Sequence, residues 1–174
     1  MKTSITLLIC LFLFKKQEAQ ISSNNLTKLS LTTTIAAPVI AFRAAATYVG
    51  GEPIAANSEK KVDFTGVYFD EGKNFSVGND EFVAPSDGIY HFDLRVSWLQ
   101  FSAPGMVSLL LRTNLYEQIP YTSVQTSSTT QIFDSNIGAL LKLKTGDKIS
   151  VYISQNSGTQ QKYQQVVLSG FKVN

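Results

Sequence analysis

The chain has 174 residues, of which 44% are apolar, which is enough for one domain with a sizeable core. It carries 15 basic and 13 acidic residues. Removing residues 1–19, with their three lysines and one glutamate, leaves 12 of each, so the remaining chain is neutral. This balance argues against nucleic acid as a partner, because binding nucleic acid needs a concentrated positive surface.

Residues 1–19 have the pattern of a secretory signal peptide. Lys2 precedes the run 5–14, which carries no charged side chain and is too short for the ~20 residues of a membrane-spanning helix. Ala19 provides a cleavage position. We therefore expect a secreted, extracellular protein with no membrane span in the mature chain. Cleavage also removes Cys10, the single cysteine, so no disulfide is available.

Residues 20–36, rich in Ser, Thr and Asn, are interpreted as a linker or N-terminal arm before a domain at 37–174. In that domain, glycines separate segments rich in β-branched and aromatic residues, as in all-β proteins. The clearest predicted strand is 89–98, where apolar and polar residues alternate strictly. The segment 148–154 repeats this alternation.

Three other segments, 109–111, 140–141 and 166–168, are apolar on both faces. A strand of that kind is expected to be buried on both faces, whereas a sandwich core covers one. We take Leu110, Leu140 and Val166 as candidates for a subunit interface. A loop of the same chain covering these strands is the alternative.

The segments 121–131 and 154–165 are rich in amide and hydroxyl side chains and are predicted to be surface loops. Tyr121 and Tyr163 lie within them. Tyrosine supplies rigid contact area in binding surfaces, so both are candidate ligand contacts. Ordinary solvated loops are the alternative.

No catalytic residue is predicted. His91 is the single histidine, and the chain has no Gly-x-Ser-x-Gly nucleophile motif. No cofactor is expected. The acidic pairs 70–71 and 80–81 carry oxygen ligands of the type calcium prefers but lack EF-hand spacing, which favours solvated loop charge.

Three segments in order, 74–98, 140–153 and 168–174, resemble the globular head of the complement C1q family, which is related in fold to tumour necrosis factor. Their sequences are NFSVGNDEFVAPSDGIYHFDLRVSW, LLKLKTGDKISVYI and LSGFKVN. The residues at matching spacing are Phe75, Phe82, Ala84, Pro85, Gly88, Tyr90, Phe92, Leu141, Leu143, Gly146, Asp147, Ser169, Gly170 and Phe171.

The resemblance implies a ten-stranded jelly-roll β-sandwich that assembles as a homotrimer. It implies a non-enzymatic extracellular head that binds protein, glycan or surface ligands. The chain lacks a collagen stalk and is similar to head-only members. Calcium stays open, because some relatives bind it near the trimer axis but no ligand set can be matched here. A jelly-roll lectin or adhesin and an exported structural surface subunit are the alternatives.

Overall fold

The computed structural model describes residues 39–114, 121–126 and 131–173. The predicted signal peptide and the predicted arm at 20–36 lie outside the described residues. The described chain contains β-strands and no helix, which confirms the all-β prediction. Its strands are β1 (Ala41–Ile54), β2 (Ser58–Lys61), β3 (Gly66–Glu71), β4 (Phe75–Ser76), β5 (Glu81–Val83), β6 (Gly88–Trp98), β7 (Gly105–Thr113), β8 (Tyr121–Thr126), β9 (Phe133–Leu143), β10 (Lys148–Gln155) and β11 (Gln161–Val173).

These eleven strands are one more than the ten that the resemblance implies. The count depends on very short segments, since β4 has 2 residues and β5 has 3. No described helix is long and apolar enough to cross a membrane.

The strands form two antiparallel sheets that pack face to face. The five-stranded sheet has the order β3-β1-β11-β6-β9. The six-stranded sheet has the order β4-β5-β10-β7-β8, and β2 is its sixth strand. β5 pairs with the start of β10, at residues 148–149, and β2 pairs with the end of β10, at residues 152–155. The first and last strands, β1 and β11, are neighbours. This arrangement confirms the jelly-roll sandwich.

The core lies between the sheets, where the alternating strands meet. Tyr90, Phe92, Leu94, Val96 and Trp98 of β6 are all buried, as their alternation predicts. Every second residue of β10, from Ile149 to Ile153, faces them from the other sheet and is also buried. Burial of this alternating set, with no disulfide available, makes the apolar core the main stabilising term.

The three segments that carry the family resemblance contact one another in space. The amide of Ala84 donates to the carbonyl of Asp147, and Gly146 donates to the carbonyl of Ala84, both at 2.8 Å. Asp87 accepts from the amide and hydroxyl of Thr145, and these hydrogen bonds lower the pKa of Asp87. The motif residues Ala84, Gly146 and Asp147 are therefore structural, because they join the turn before β6 to the turn before β10.

Candidate interaction sites

Tyr163 is not a ligand contact, and that prediction is wrong. The residue lies in β11, and its side chain is 0% exposed, with its ring 5.3 Å from Tyr48 and 6.0 Å from Trp98. Burial raises the pKa of Tyr163 and raises that of Tyr48 to about 12. The polar residues around Tyr163 indicated a loop, but β11 begins at Gln161 and its alternation turns the tyrosine inward.

Tyr121 begins β8, so the segment predicted as a loop is in part a strand. β8 pairs with β7, and Tyr121 lies opposite Leu110. A strand can be polar when it lies at a sheet edge, because backbone pairing does not depend on side-chain polarity. The side chain of Tyr121 lies outside the described residues, and its role as a contact stays a prediction.

The three interface candidates have different surroundings. Val166 is fully buried inside the subunit, so its side chain cannot reach a second chain and that prediction is wrong. Leu110 is half-buried on the outer face of the six-stranded sheet, opposite Tyr152. Leu140 is 64% exposed, on the outer face of the five-stranded sheet. Of the three candidates, Leu140 is therefore the one whose apolar side chain is mostly exposed to water.

Leu140 belongs to a larger apolar surface on that outer face. Cross-strand pairing places Leu140, His91, Phe171 and Ala41 in one row across β9, β6, β11 and β1. The neighbouring rows add further exposed apolar side chains. We call this set the apolar face; its members are Phe69, Ile89, Leu140, Phe171 and Val173.

Charged and polar groups continue the apolar face along the same sheet. The Nδ1 of His91 lies 3.3 Å from the Oδ2 of Asp93, and its ring is 5.1 Å from that of Phe171. Beyond Asp93, a shallow depression of about 450 Å³ is lined in part by Arg43 and Arg95. The outer face therefore combines an apolar half with a half that carries both signs of charge, a composition typical of subunit interfaces.

Three of the four carboxylates considered for calcium, those of Asp70, Asp80 and Glu81, make contacts within the fold. The carboxylate of Asp70 accepts from the amides of Asn74 and Phe75, and Asp80 accepts from the amide of Phe64. Glu81 forms an ion pair with Lys148 at 3.1 Å. In the described part of the chain, no group of three or more His, Cys, Asp or Glu side chains could hold a metal ion.

Two antiparallel sheets with adjacent first and last strands define a jelly-roll domain. The sequence profile of the C1q domain matches residues 41–173, so the chain belongs to the C1q-domain family.

Solved structures agree on the fold. The globular domain of zebrafish complement 1qA protein matches with a TM-score of 0.58 and 22% identity, over 78% of this chain and 98% of that one. Eiger TNF from S. frugiperda matches with a TM-score of 0.55 and 13% identity, over 79% of this chain and 94% of that one. The PRD1 vertex protein P5 matches with a TM-score of 0.55 and 18% identity, over 79% of this chain and 99% of that one. No curated protein sequence matches the chain.

Proposed function

We propose that this protein is a secreted, non-enzymatic recognition head that works as a homotrimer and binds protein, glycan or surface ligands. Membership of the C1q-domain family supports the binding role, and the signal-like pattern of residues 1–19 supports secretion. The apolar face is the observation that supports assembly into a trimer, because a second subunit would cover its exposed side chains.

One subunit by itself leaves large apolar side chains of the apolar face in water. Leu140 is 64% exposed, Ile89 48% and Phe171 47%, and the three lie in adjacent rows of one sheet. Burying apolar area contributes about 25 cal/mol per Å², so covering such a face stabilises an assembly. Exposed apolar patches of this kind mark interaction sites.

A cyclic trimer uses a heterologous interface, in which one surface meets a different surface of the next subunit. The apolar face then packs against a second region of the neighbouring copy. The number three follows from family membership, because proteins with C1q domains typically form trimers.

The test is the native mass of the purified protein at micromolar concentration, measured by analytical ultracentrifugation for the wild type and for Leu140→Asp. We expect three chains for the wild type and a folded monomer for Leu140→Asp, because a carboxylate would lose its hydration on entering an apolar interface. Val77→Asp is the matched control, since Val77 is an exposed apolar residue in the turn between β4 and β5.

Val77→Asp should remain trimeric. A wild-type protein that sediments as a monomer would contradict the trimer and favour a monomeric jelly-roll lectin. Circular dichroism of both variants checks that the mass change does not come from unfolding.

A further inference from the structure

A second site lies on the other sheet, away from the apolar face. It is a cleft of about 300 Å³ on the outer side of the six-stranded sheet, between the β1–β2 turn and the β10–β11 turn. This volume is at the lower end of the range for small-molecule sites, about 300–1,000 Å³. The side chains that line the cleft include Asn57, Glu59, Met106, Ser108, Ser154 and Asn156.

One buried side chain fixes both walls of the cleft. The Nε2 of Gln155, a residue 3% exposed, donates to the carbonyls of Ala55 and Thr159, one in each turn. Its Oε1 accepts from the amide and the hydroxyl of Ser157. A buried amide with both ends satisfied is costly to disrupt, so the two turns are held at a fixed separation.

Two asparagines present oriented hydrogen-bond donors in this cleft. The Oδ1 of Asn156 accepts from the amide of Met106 at 2.6 Å, and the Oδ1 of Asn57 accepts from the amide of Gly158 at 3.1 Å. Because both oxygens are occupied, the free end of each amide is its Nδ2 group. Neither Nδ2 has an acceptor among the described residues. Asn57 is also held at a φ of 50°, a left-handed conformation that asparagine tolerates.

The cleft carries no uncompensated charge. The carboxylate of Glu59 lies 2.7 Å from the guanidinium of Arg112, which itself stacks over the ring of Tyr152 at 4.2 Å. An ionic ligand therefore finds no free counter-charge. The paired carboxylate still has lone pairs that accept from hydroxyl groups.

Hydroxyl and apolar groups complete the lining. Ser154 contributes a hydroxyl, as does Ser108, whose hydroxyl is also hydrogen-bonded to that of Ser123 at 2.7 Å. Met106, which is 41% exposed, contributes an apolar thioether. The strands under the cleft are already paired on both sides, β10 with β2 and β7, and β7 with β8. A peptide could not pair with β10 or β7 here, since both edges of these two strands are already taken.

From this combination we infer that the cleft binds one residue of a neutral sugar. Its amide donors and hydroxyls match the hydroxyl groups of a pyranose ring, and Met106 matches the apolar C–H face of the ring. The inference rests on the proposed recognition function and names the ligand class for that function.

The test is a titration of the ¹⁵N-labelled protein with neutral monosaccharides, N-acetylglucosamine, galactose, mannose and fucose, and separately with N-acetylneuraminic acid. We expect the side-chain amide resonances of Asn57 and Asn156 to shift with a neutral sugar, with a dissociation constant of about 1 mM, as a single small ligand gives.

Asn156→Asp retains an oxygen that accepts from Met106 and removes the Nδ2 donor. Losing one such hydrogen bond should weaken the sugar affinity about fivefold to tenfold. Asn114→Asp is the matched control, because the Oδ1 of Asn114 likewise accepts from a backbone amide, that of Lys148, away from the cleft. Its affinity should equal that of the wild type.

Two results would overturn the inference: no response to any neutral sugar, or tighter binding of the acidic sugar than of every neutral one. The native mass, measured on the same samples, tests the trimer separately. A trimer without sugar binding refutes the cleft assignment and leaves the proposed recognition head standing.

Discussion

The indole Nε1 of Trp98 donates a hydrogen bond to the Oγ of Ser135 across 2.8 Å, and both side chains are buried. The bond joins β6 to β9 inside a core that is otherwise formed largely by apolar side chains. A buried indole N–H needs a partner, since an unsatisfied donor loses its hydration without compensation. The position of Ser135 is thus explained by a tryptophan 37 residues away in the chain.

Replacing Ser135 by alanine should remove that partner and destabilise the protein. We expect the free energy of unfolding to fall by about 1–3 kcal/mol, the cost of an unsatisfied buried donor. Urea denaturation at a fixed protein concentration measures the change, because assembly makes the apparent stability depend on concentration. Ser123→Ala is the control, because it removes an exposed hydrogen bond, that between the hydroxyls of Ser123 and Ser108, and leaves no buried donor unpaired. It should change the value by less than about 0.5 kcal/mol. Equal effects of the two substitutions would show that the Trp98–Ser135 bond contributes nothing.

Gly170, from the Ser-Gly-Phe segment, should not tolerate a side chain. A Cβ atom there would lie 2.5 Å from a ring carbon of Phe42 and 2.9 Å from one of Phe92. Overpacking of this kind costs about 1–3 kcal/mol, so Gly170→Ala should unfold at lower urea concentration. At Gly78, by comparison, a Cβ would meet nothing within 4 Å. Gly78→Ala is therefore the control, and a similar loss in both variants would refute the packing argument.

Because of Glu81, the free energy of unfolding should depend on pH in the acid range. Its hydrogen bond to Lys148 and the nearby charge of Lys61 hold the pKa of Glu81 below its ordinary value of 4.5 in the folded protein. The unfolded chain therefore takes up a proton at higher pH than the folded chain. Stability from this group is present above pH 4.5 and is lost as pH falls through the lower, folded-state pKa.

Glu81→Gln should flatten that acid-side decline, by up to about 1 kcal/mol, as expected for a partly exposed ion pair. The measurement is the unfolding free energy between neutral pH and pH 3. Glu71→Gln, at an exposed residue of β3, should follow the wild-type curve. An acid decline that is unchanged in Glu81→Gln would contradict this role.

Strict alternation predicted the strands that form the core. The pattern of β6 requires that every second side chain, from Tyr90 to Trp98, face the same side, and all of them are buried. Alternation failed at Tyr163, where flanking glutamines resemble a solvated loop. The immediate neighbours of Tyr163, Lys162 and Gln164, lie on the other side of the strand. Local composition cannot identify the strand that packs over a given residue.

The cleft was not predicted from sequence, for a related reason. Its oriented amides, Asn57 and Asn156, are 99 positions apart in the numbering, and neither belongs to a recognisable motif. Their roles depend on backbone amides of Gly158 and Met106, which the fold brings beside them. The richness of residues 154–165 in amide groups was the available signal, and it indicated binding without identifying a site.

By itself, the sequence determined the all-β class, the family and the strands whose apolar residues alternate, because these follow from order along the chain. The tertiary structure alone decided which doubly apolar segments remain in water. Val167 and Leu140 both lie on the outer face of the five-stranded sheet, yet Val167 is 8% exposed and Leu140 64%. Val167 sits between Ala45 and Arg95 in the middle of the sheet, whereas Leu140 lies on the edge strand. How deeply a side chain is buried depends on its cross-strand neighbours, which are remote in sequence.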